Sequence, residues 1–201
     1  MTAIVPTDTL FVDVDTQVDF VEPDGALYVP GAELLKPAFA RLVALARAHA
    51  RPLVASSDAH PEDDPEFATF PPHCLAGTPG QRRVAETEPP RARVIAADGT
   101  ERGGEGDTIV LEKVAFDLFT NPAAEAALAA SGARTAIVFG VALDYCVRAA
   151  ALGLRARGYE TVLVRDATAP VTAEGGARVE RELRDAGVRF ASTDEIAAAF
   201  A

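Results

Sequence analysis

The sequence predicts an α/β protein, an open three-layer α/β/α sandwich built on a mostly parallel sheet of about six strands. Three observations predict it. Six apolar runs recur along the chain, and they are continuous rather than alternating, as in strands covered on both faces. Segments of helical pattern lie between them, and several of these segments stop at a glycine. Strands alternating with helices give right-handed βαβ units, and in such sheets a site lies outside the carboxyl ends of the strands.

Taken in order, the first strand is Leu10-Phe11-Val12, running on into an acidic stretch. The first helix carries Phe39, Leu42, Val43 and Ala46 at i, i+3, i+4 and i+7, which puts them on one face. Leu53-Val54-Ala55 is the second strand, and Ile109-Val110-Leu111 the third. A second helix begins at Asn121-Pro122, a capping residue followed by proline, and stops at Gly132. Ala136-Ile137-Val138-Phe139 is the fourth strand. A helix from about Asp144 to Arg157 follows and stops at Gly158. Val162-Leu163-Val164 is the fifth strand, then a helix spans roughly Thr172 to Ala186 before Gly187. Val188-Arg189-Phe190-Ala191 is a weaker strand and Thr193 to Phe200 a short last helix.

Two stretches break the alternation. Residues 57–80 hold five prolines and two of the three histidines, too long for an ordinary connection, and long ordered loops commonly carry function. Residues 86–106 read as a surface excursion around a short strand at Val94-Ile95, with no chemistry. The 201 residues fit one domain, 1–201, since a chain of this size buries about 70% of its unfolded surface. A net charge of −11 argues against a broad nucleic-acid surface, which needs clustered Lys and Arg. No apolar run reaches the roughly 20 residues of a membrane span, and the N-terminus lacks the pattern of a secretory signal, so a soluble, cytoplasmic protein with no membrane partner is expected. Cys74 and Cys146 have no metal-finger spacing and suggest no disulfide framework.

The chemistry-bearing residues gather at strand ends. Asp15 and Asp19 follow the first strand, Lys113 ends the third, and Cys146 sits in the first turn of the helix after the fourth. A helix N-terminus and a neighbouring lysine both favour thiolate over thiol, and the same turn offers free N–H groups to an oxyanion. Each has a plain alternative: turn carboxylates, a lysine reaching to solvent, a small buried thiol. Together they supply proton acceptor, cation and nucleophile for amide cleavage. In the long loop, Asp58 and His60 point the same way in an extended segment, His73 can return after the prolines, and Glu66 is a further donor. One carboxylate with two imidazoles suits a divalent ion, zinc first, with manganese or iron as alternatives. The alternative is a proline-rich loop with incidental polar residues. His49 reads as helix-terminal surface.

These residues resemble the cysteine hydrolases of the isochorismatase-like superfamily, specifically its nicotinamidase branch. The resemblance runs from Leu10 to about Ala169. It is carried by Val12-Asp13-Val14-Asp15-Thr16-Gln17-Val18-Asp19-Phe20, Asp58-Ala59-His60, Pro71-Pro72-His73-Cys74 with Gly77-Thr78-Pro79-Gly80, Lys113, and Gly140-Val141-Ala142-Leu143-Asp144-Tyr145-Cys146-Val147. It implies a catalytic triad of Asp15, Lys113 and Cys146, with Asp13 the buried strand residue, and metal ligands Asp58, His60 and His73 with Glu66 at a fourth position. It further implies a substrate ring held by Phe20 and Phe70, with Phe116 and Tyr145 as further pocket residues. A cis bond between Val141 and Ala142 would aim the Ala142 N–H, with that of Cys146, at an oxyanion. The implied activity is cleavage of nicotinamide to nicotinate and ammonia through a thioester on Cys146, a step of NAD salvage. Another small amide, carbamoyl or ureido substrate, or isochorismatase-type ether hydrolysis, is the alternative. Relatives are often multimers, so a homo-oligomer is allowed. One departure stands out: after Lys113 the branch tends to carry Gly, Ser and Tyr, where this chain has Val114-Ala115-Phe116-Asp117-Leu118-Phe119-Thr120.

Overall fold

The computed structural model describes residues 4–104 and 106–201. Eight strands form one sheet: β1 (Thr9–Val14), β2 (Leu53–Asp58), β3 (Ala92–Ile95), β4 (Glu101–Gly103), β5 (Thr108–Lys113), β6 (Thr135–Val141), β7 (Glu160–Ala169) and β8 (Arg189–Ala191). Their order across the sheet is β4-β3-β5-β2-β1-β6-β7-β8, and every pairing is parallel except β3 with β4. The mostly parallel sheet matches the expected class. The excess over about six strands is the β3–β4 ribbon at one edge, where Glu101–Gly103 is fully exposed and carries no apolar run to announce it.

Six helices complete the fold: α1 (Val18–Val21), α2 (Lys36–Ala48), α3 (Ala124–Ala129), α4 (Arg148–Ala156), α5 (Ala173–Asp185) and α6 (Thr193–Ala199). They make the two outer layers. Phe39, Leu42, Val43 and Ala46 of α2 and Ile196 of α6 pack with Phe11, Ile137 and Phe139 on one face. Leu128 of α3, Leu154 of α4 and Val179 and Leu183 of α5 pack with Leu10, Val12 and Val138 on the other. All six residues of β1 are therefore buried, and each fully buried Leu, Phe or Val contributes about 1.5–3 kcal/mol.

Two helix starts differ from their sequence signals. Asn121 does not open a helix directly: its Nδ2 donates to the carbonyls of Ile95, Ala96 and Glu112, and α3 begins three residues later. The segment expected as one helix from Asp144 begins instead with a π turn, Leu143–Val147, in which the Ala142 carbonyl accepts from both Tyr145 N and Val147 N at 3.1 Å. Only from Arg148 is it α-helical.

The approach to that turn depends on one glycine. Gly140 pairs with Val14 across β6 and β1 at φ +120°, where the β6–β7 register shifts. A Cβ there would lie 2.0 Å from the Val14 carbonyl oxygen. Gly140→Ala is therefore expected to cost about 3 kcal/mol or more, from strained backbone and forced separation of two central strands. A denaturation midpoint within error of the parent would contradict this.

Candidate active site

Four neighbouring strand ends, β5, β2, β1 and β6, deliver the polar residues to one mouth. Lys113 and Asp58 are the last residues of β5 and β2 and face each other in the register. Asp15 follows β1 with a left-handed backbone, φ 49°, and is held by Ser56, whose Oγ donates to Asp15 Oδ1 at 2.7 Å. The Lys113 Nζ lies 2.8 Å from Asp15 Oδ2, donates to Asp58 Oδ1, and reaches Cys146 Sγ at 3.6 Å. The ammonium is thus ringed by two carboxylates and the sulfur. The sequence reading grouped Asp58 with the loop histidines alone; the sheet order places β2 between β1 and β5, so its carboxylate also pairs with the lysine.

Electrostatics follow from burial. Desolvation raises the Asp15 carboxyl above its ordinary value despite the Lys113 charge beside it. For Lys113 desolvation works downward, but Asp15, Asp58 and the Cys146 sulfur outweigh it and hold the ammonium well above an ordinary lysine. Cys146 is pushed well up, first by burial and then by the two carboxylates, with Lys113 opposing. Burial and the two carboxylates thus favour the thiol form of Cys146, against the pull toward thiolate that Lys113 exerts.

Asp58, His60 and His73 bring one donor atom each within 4.8 Å of one another. The long loop folds back to achieve this: His60 N donates to Cys74 O at 3.1 Å and Ala76 N to His60 O at 2.9 Å. Each imidazole is oriented through Nδ1, that of His60 against Asp64 Oδ2 at 2.9 Å and that of His73 against Pro71 O at 2.8 Å. This leaves both Nε2 atoms for another partner. The buried His60 Nε2 has no hydrogen-bond partner among the described residues, and Asp58 Oδ2 lies 3.7 Å from it. Glu66 Oε1 stands 3.9 Å from His73 Nε2. An orphaned imidazole nitrogen at His60, with both rings anchored at the other end, is what a borderline divalent ion requires, so the donor set fits one.

A cleft of about 510 Å³ opens above these groups. Phe20, Phe70, Phe116 and Tyr145 line it together with Asp58, Glu66, His73, Ala142 and Cys146. Phe70, Phe116 and Tyr145 meet edge to face, with centroids 5.3 to 6.1 Å apart, and form one wall. Phe20 packs against His73 at 5.3 Å. The peptide between Val141 and Ala142 is cis. Phe119, the other aromatic of the divergent loop, turns away and lies under Arg157 at 3.6 Å.

Several supporting residues escape a reading of the sequence. Asp13 is buried and paired with Arg83, which also donates to Thr16 Oγ1 at 2.7 Å and to the Ser56 carbonyl at 3.1 Å. The signal was available: a buried strand carboxylate needs a cation. Gln17 clamps β2, accepting from Asp58 N at 2.7 Å and donating to Asp58 O at 2.8 Å. Asp19 takes no place at the mouth; it accepts from Cys74 N and Ala26 N and fixes two loops. Phe67 packs on both His60 and His73.

Residues 9–195 match the isochorismatase domain family. The nicotinamidase/pyrazinamidase of Mycobacterium tuberculosis is 29% identical over 184 residues, covering 88% of this chain and 95% of that protein. The pyrazinamidase of Pyrococcus horikoshii, solved in complex with zinc, superposes with TM-score 0.79 at 27% identity, covering 92% of this chain and 99% of that one. N-carbamoylsarcosine amidase from Thermoplasma acidophilum superposes with TM-score 0.77 at 25% identity, covering 93% and 97%.

With no cation bound, burial pulls His60 down, but Asp58 and Asp64 prevail and raise it to about 9. A metal ion must displace that proton. Zinc affinity of the metal-free protein is therefore expected to rise with pH up to about 9, by at most about tenfold per unit for one proton. Zinc titrations at several pH values that give one constant affinity would refute it.

Proposed function

Because the chain belongs to the isochorismatase domain family and groups with its nicotinamidase branch of amidohydrolases, we propose that the amide it cleaves is a small aromatic carboxamide, nicotinamide foremost. One observation carries this reading: a buried ammonium 2.8 Å from a carboxylate and 3.6 Å from a thiol, at the floor of a cleft walled by aromatic rings.

In the first half-reaction the Asp15 carboxylate takes the thiol proton as the Cys146 sulfur attacks the carboxamide carbon. Raised proton affinity suits Asp15 to the task, and Lys113 holds the positive charge beside both groups. The N–H groups of Ala142 and Cys146 receive the oxyanion. Collapse breaks the C–N bond, Asp15 returns its proton to the nitrogen, ammonia leaves, and a thioester remains on Cys146. Asp15 then takes a proton from water, whose oxygen attacks the thioester; the sulfur leaves and regains the proton, and the acid is released. Phe20 and Phe70 flank the ring, while Phe116 and Tyr145 close the wall. Asp58, His60 and His73, with Glu66 beside them, would hold a divalent ion, zinc before manganese or iron. Bound there it supplies a Lewis-acid anchor for a ring nitrogen.

The likeness to N-carbamoylsarcosine amidase favours a second reading, in which the substrate is a carbamoyl compound and the divergent loop at Phe116 selects it. Ammonia release from a panel of aromatic carboxamides and N-carbamoyl compounds decides between the two.

Cys146→Ala is expected to lower turnover by on the order of 10⁴-fold or more, and Asp15→Asn by on the order of 10³-fold. Inertness of the parent protein toward every amide tested would sink the proposal. The Asp15 base must be ionised in the free enzyme, so kcat/KM falls as the solution is acidified through its pKa. Burial puts that limb above 3.8, the ordinary aspartate value, and Lys113 adds no alkaline loss up to 10.5. A profile whose acid limb lies below 3.8 would exclude Asp15 as the base.

A further inference from the structure

Asp144 lies two residues before Cys146, inside the π turn, and does not itself line the cleft. It accepts from Val171 N at 2.8 Å and from Thr172 N at 3.4 Å, on the segment that joins β7 to α5. Thr172 in turn caps α5, its Oγ1 accepting from Gly175 N at 3.0 Å. The fit is close: a Cβ on Gly175 would lie 2.4 Å from Asp144 Oδ2 and 2.8 Å from Thr172 Oγ1. Val171 itself is 40% exposed and lines the cleft beside Ala142, Tyr145 and Cys146.

The nucleophile-bearing turn and one wall of the cleft are thus fastened to each other by one side chain. The Ala142 carbonyl accepts from Tyr145 N and Val147 N as the turn begins. Outside the turn, Asp144 adds a tie to Val171 and Thr172, on a different segment from the strand that carries Lys113. We propose that Asp144 is a positioning residue for the reaction, setting the Cys146 sulfur against Lys113 and holding Val171 against the substrate. The proposal rests on Cys146 being the nucleophile; it does not depend on which amide is cleaved.

The test reads sulfur chemistry and catalysis together. Cys74 is fully buried, so the rate of iodoacetamide alkylation reports on Cys146. Asp144→Ala should slow that alkylation severalfold at fixed pH, because the sulfur loses its lysine contact. It should also raise KM and lower kcat by about tenfold each, within the range expected when a catalytic group is displaced by less than 1 Å. Asp144→Asn keeps an acceptor for Val171 N and should restore all three quantities to within about threefold of the parent. Gly175→Ala, which crowds the carboxylate from the far side, should reproduce the alanine effects, and it serves if Asp144→Ala does not fold. The proposal is overturned if these variants lose thermal stability while alkylation, kcat and KM stay within about twofold of the parent. It is equally overturned if the asparagine variant is as impaired as the alanine one. If the parent releases no ammonia from nicotinamide, the substrate reading fails while the alkylation arm still decides the role of Asp144.

Discussion

A single ammonium, sealed from solvent at the ends of four strands, sets the terms for everything around it. Lys113 is 1% exposed, and a lone charge at that depth costs several kcal/mol after relaxation. Asp15 and Asp58 offset the cost by ionic contact, and the Cys146 sulfur accepts a hydrogen bond from the amine. Burial first, and the two carboxylates after it, push the Cys146 thiol up against the pull of the one cation. Asp58 belongs to two clusters at once, with one oxygen on Lys113 and the other facing His60.

The sheet makes this convergence possible, and it does so through register. Parallel pairing aligns Asp58 with Lys113 and Val14 with both Ser56 and Gly140, so that β2 and β5 finish together two residues beyond the end of β1, and β6 runs one residue past β1 toward the π turn. The β6–β7 pairing shifts between Val138 and Gly140, with the extra residues on β7. Beneath the polar ends, Arg83 joins Asp13, Thr16 and Ser56, and Ser56 holds Asp15. The Asp15 carboxylate therefore rests, through Ser56, on a second buried ion pair whose members do not line the cleft.

Much of this was legible in the residues. Continuous apolar runs marked the interior strands because both of their faces are covered, and even the weak run at Val188–Ala191 pairs with β7. Asp15, Lys113 and Cys146 stood out because strand ends in such sheets converge, and Asp58 and His60 because a carboxylate and imidazoles recur in one long loop. Other features were silent for physical reasons. Glu101–Gly103 forms a strand only because β3 offers it an edge. A π turn of five residues cannot be told from an α-helical start by apolar spacing. Asn121 carries the right chemistry for a cap, yet its amide is engaged by three carbonyls of the sheet. Arg83 lies in a stretch with no periodic pattern, and only the burial of Asp13 could have called for it.

The upward push on the Cys146 thiol has a consequence beyond turnover. Peroxides oxidise thiolates far faster than thiols, and the ladder from sulfenic to sulfonic acid begins with that first encounter. Cys146 is buried among groups that favour its thiol form, and Cys74 is sealed in the core with its thiol pushed up by burial. A sulfur held in such surroundings offers a peroxide little thiolate to meet until something in the cleft changes that balance.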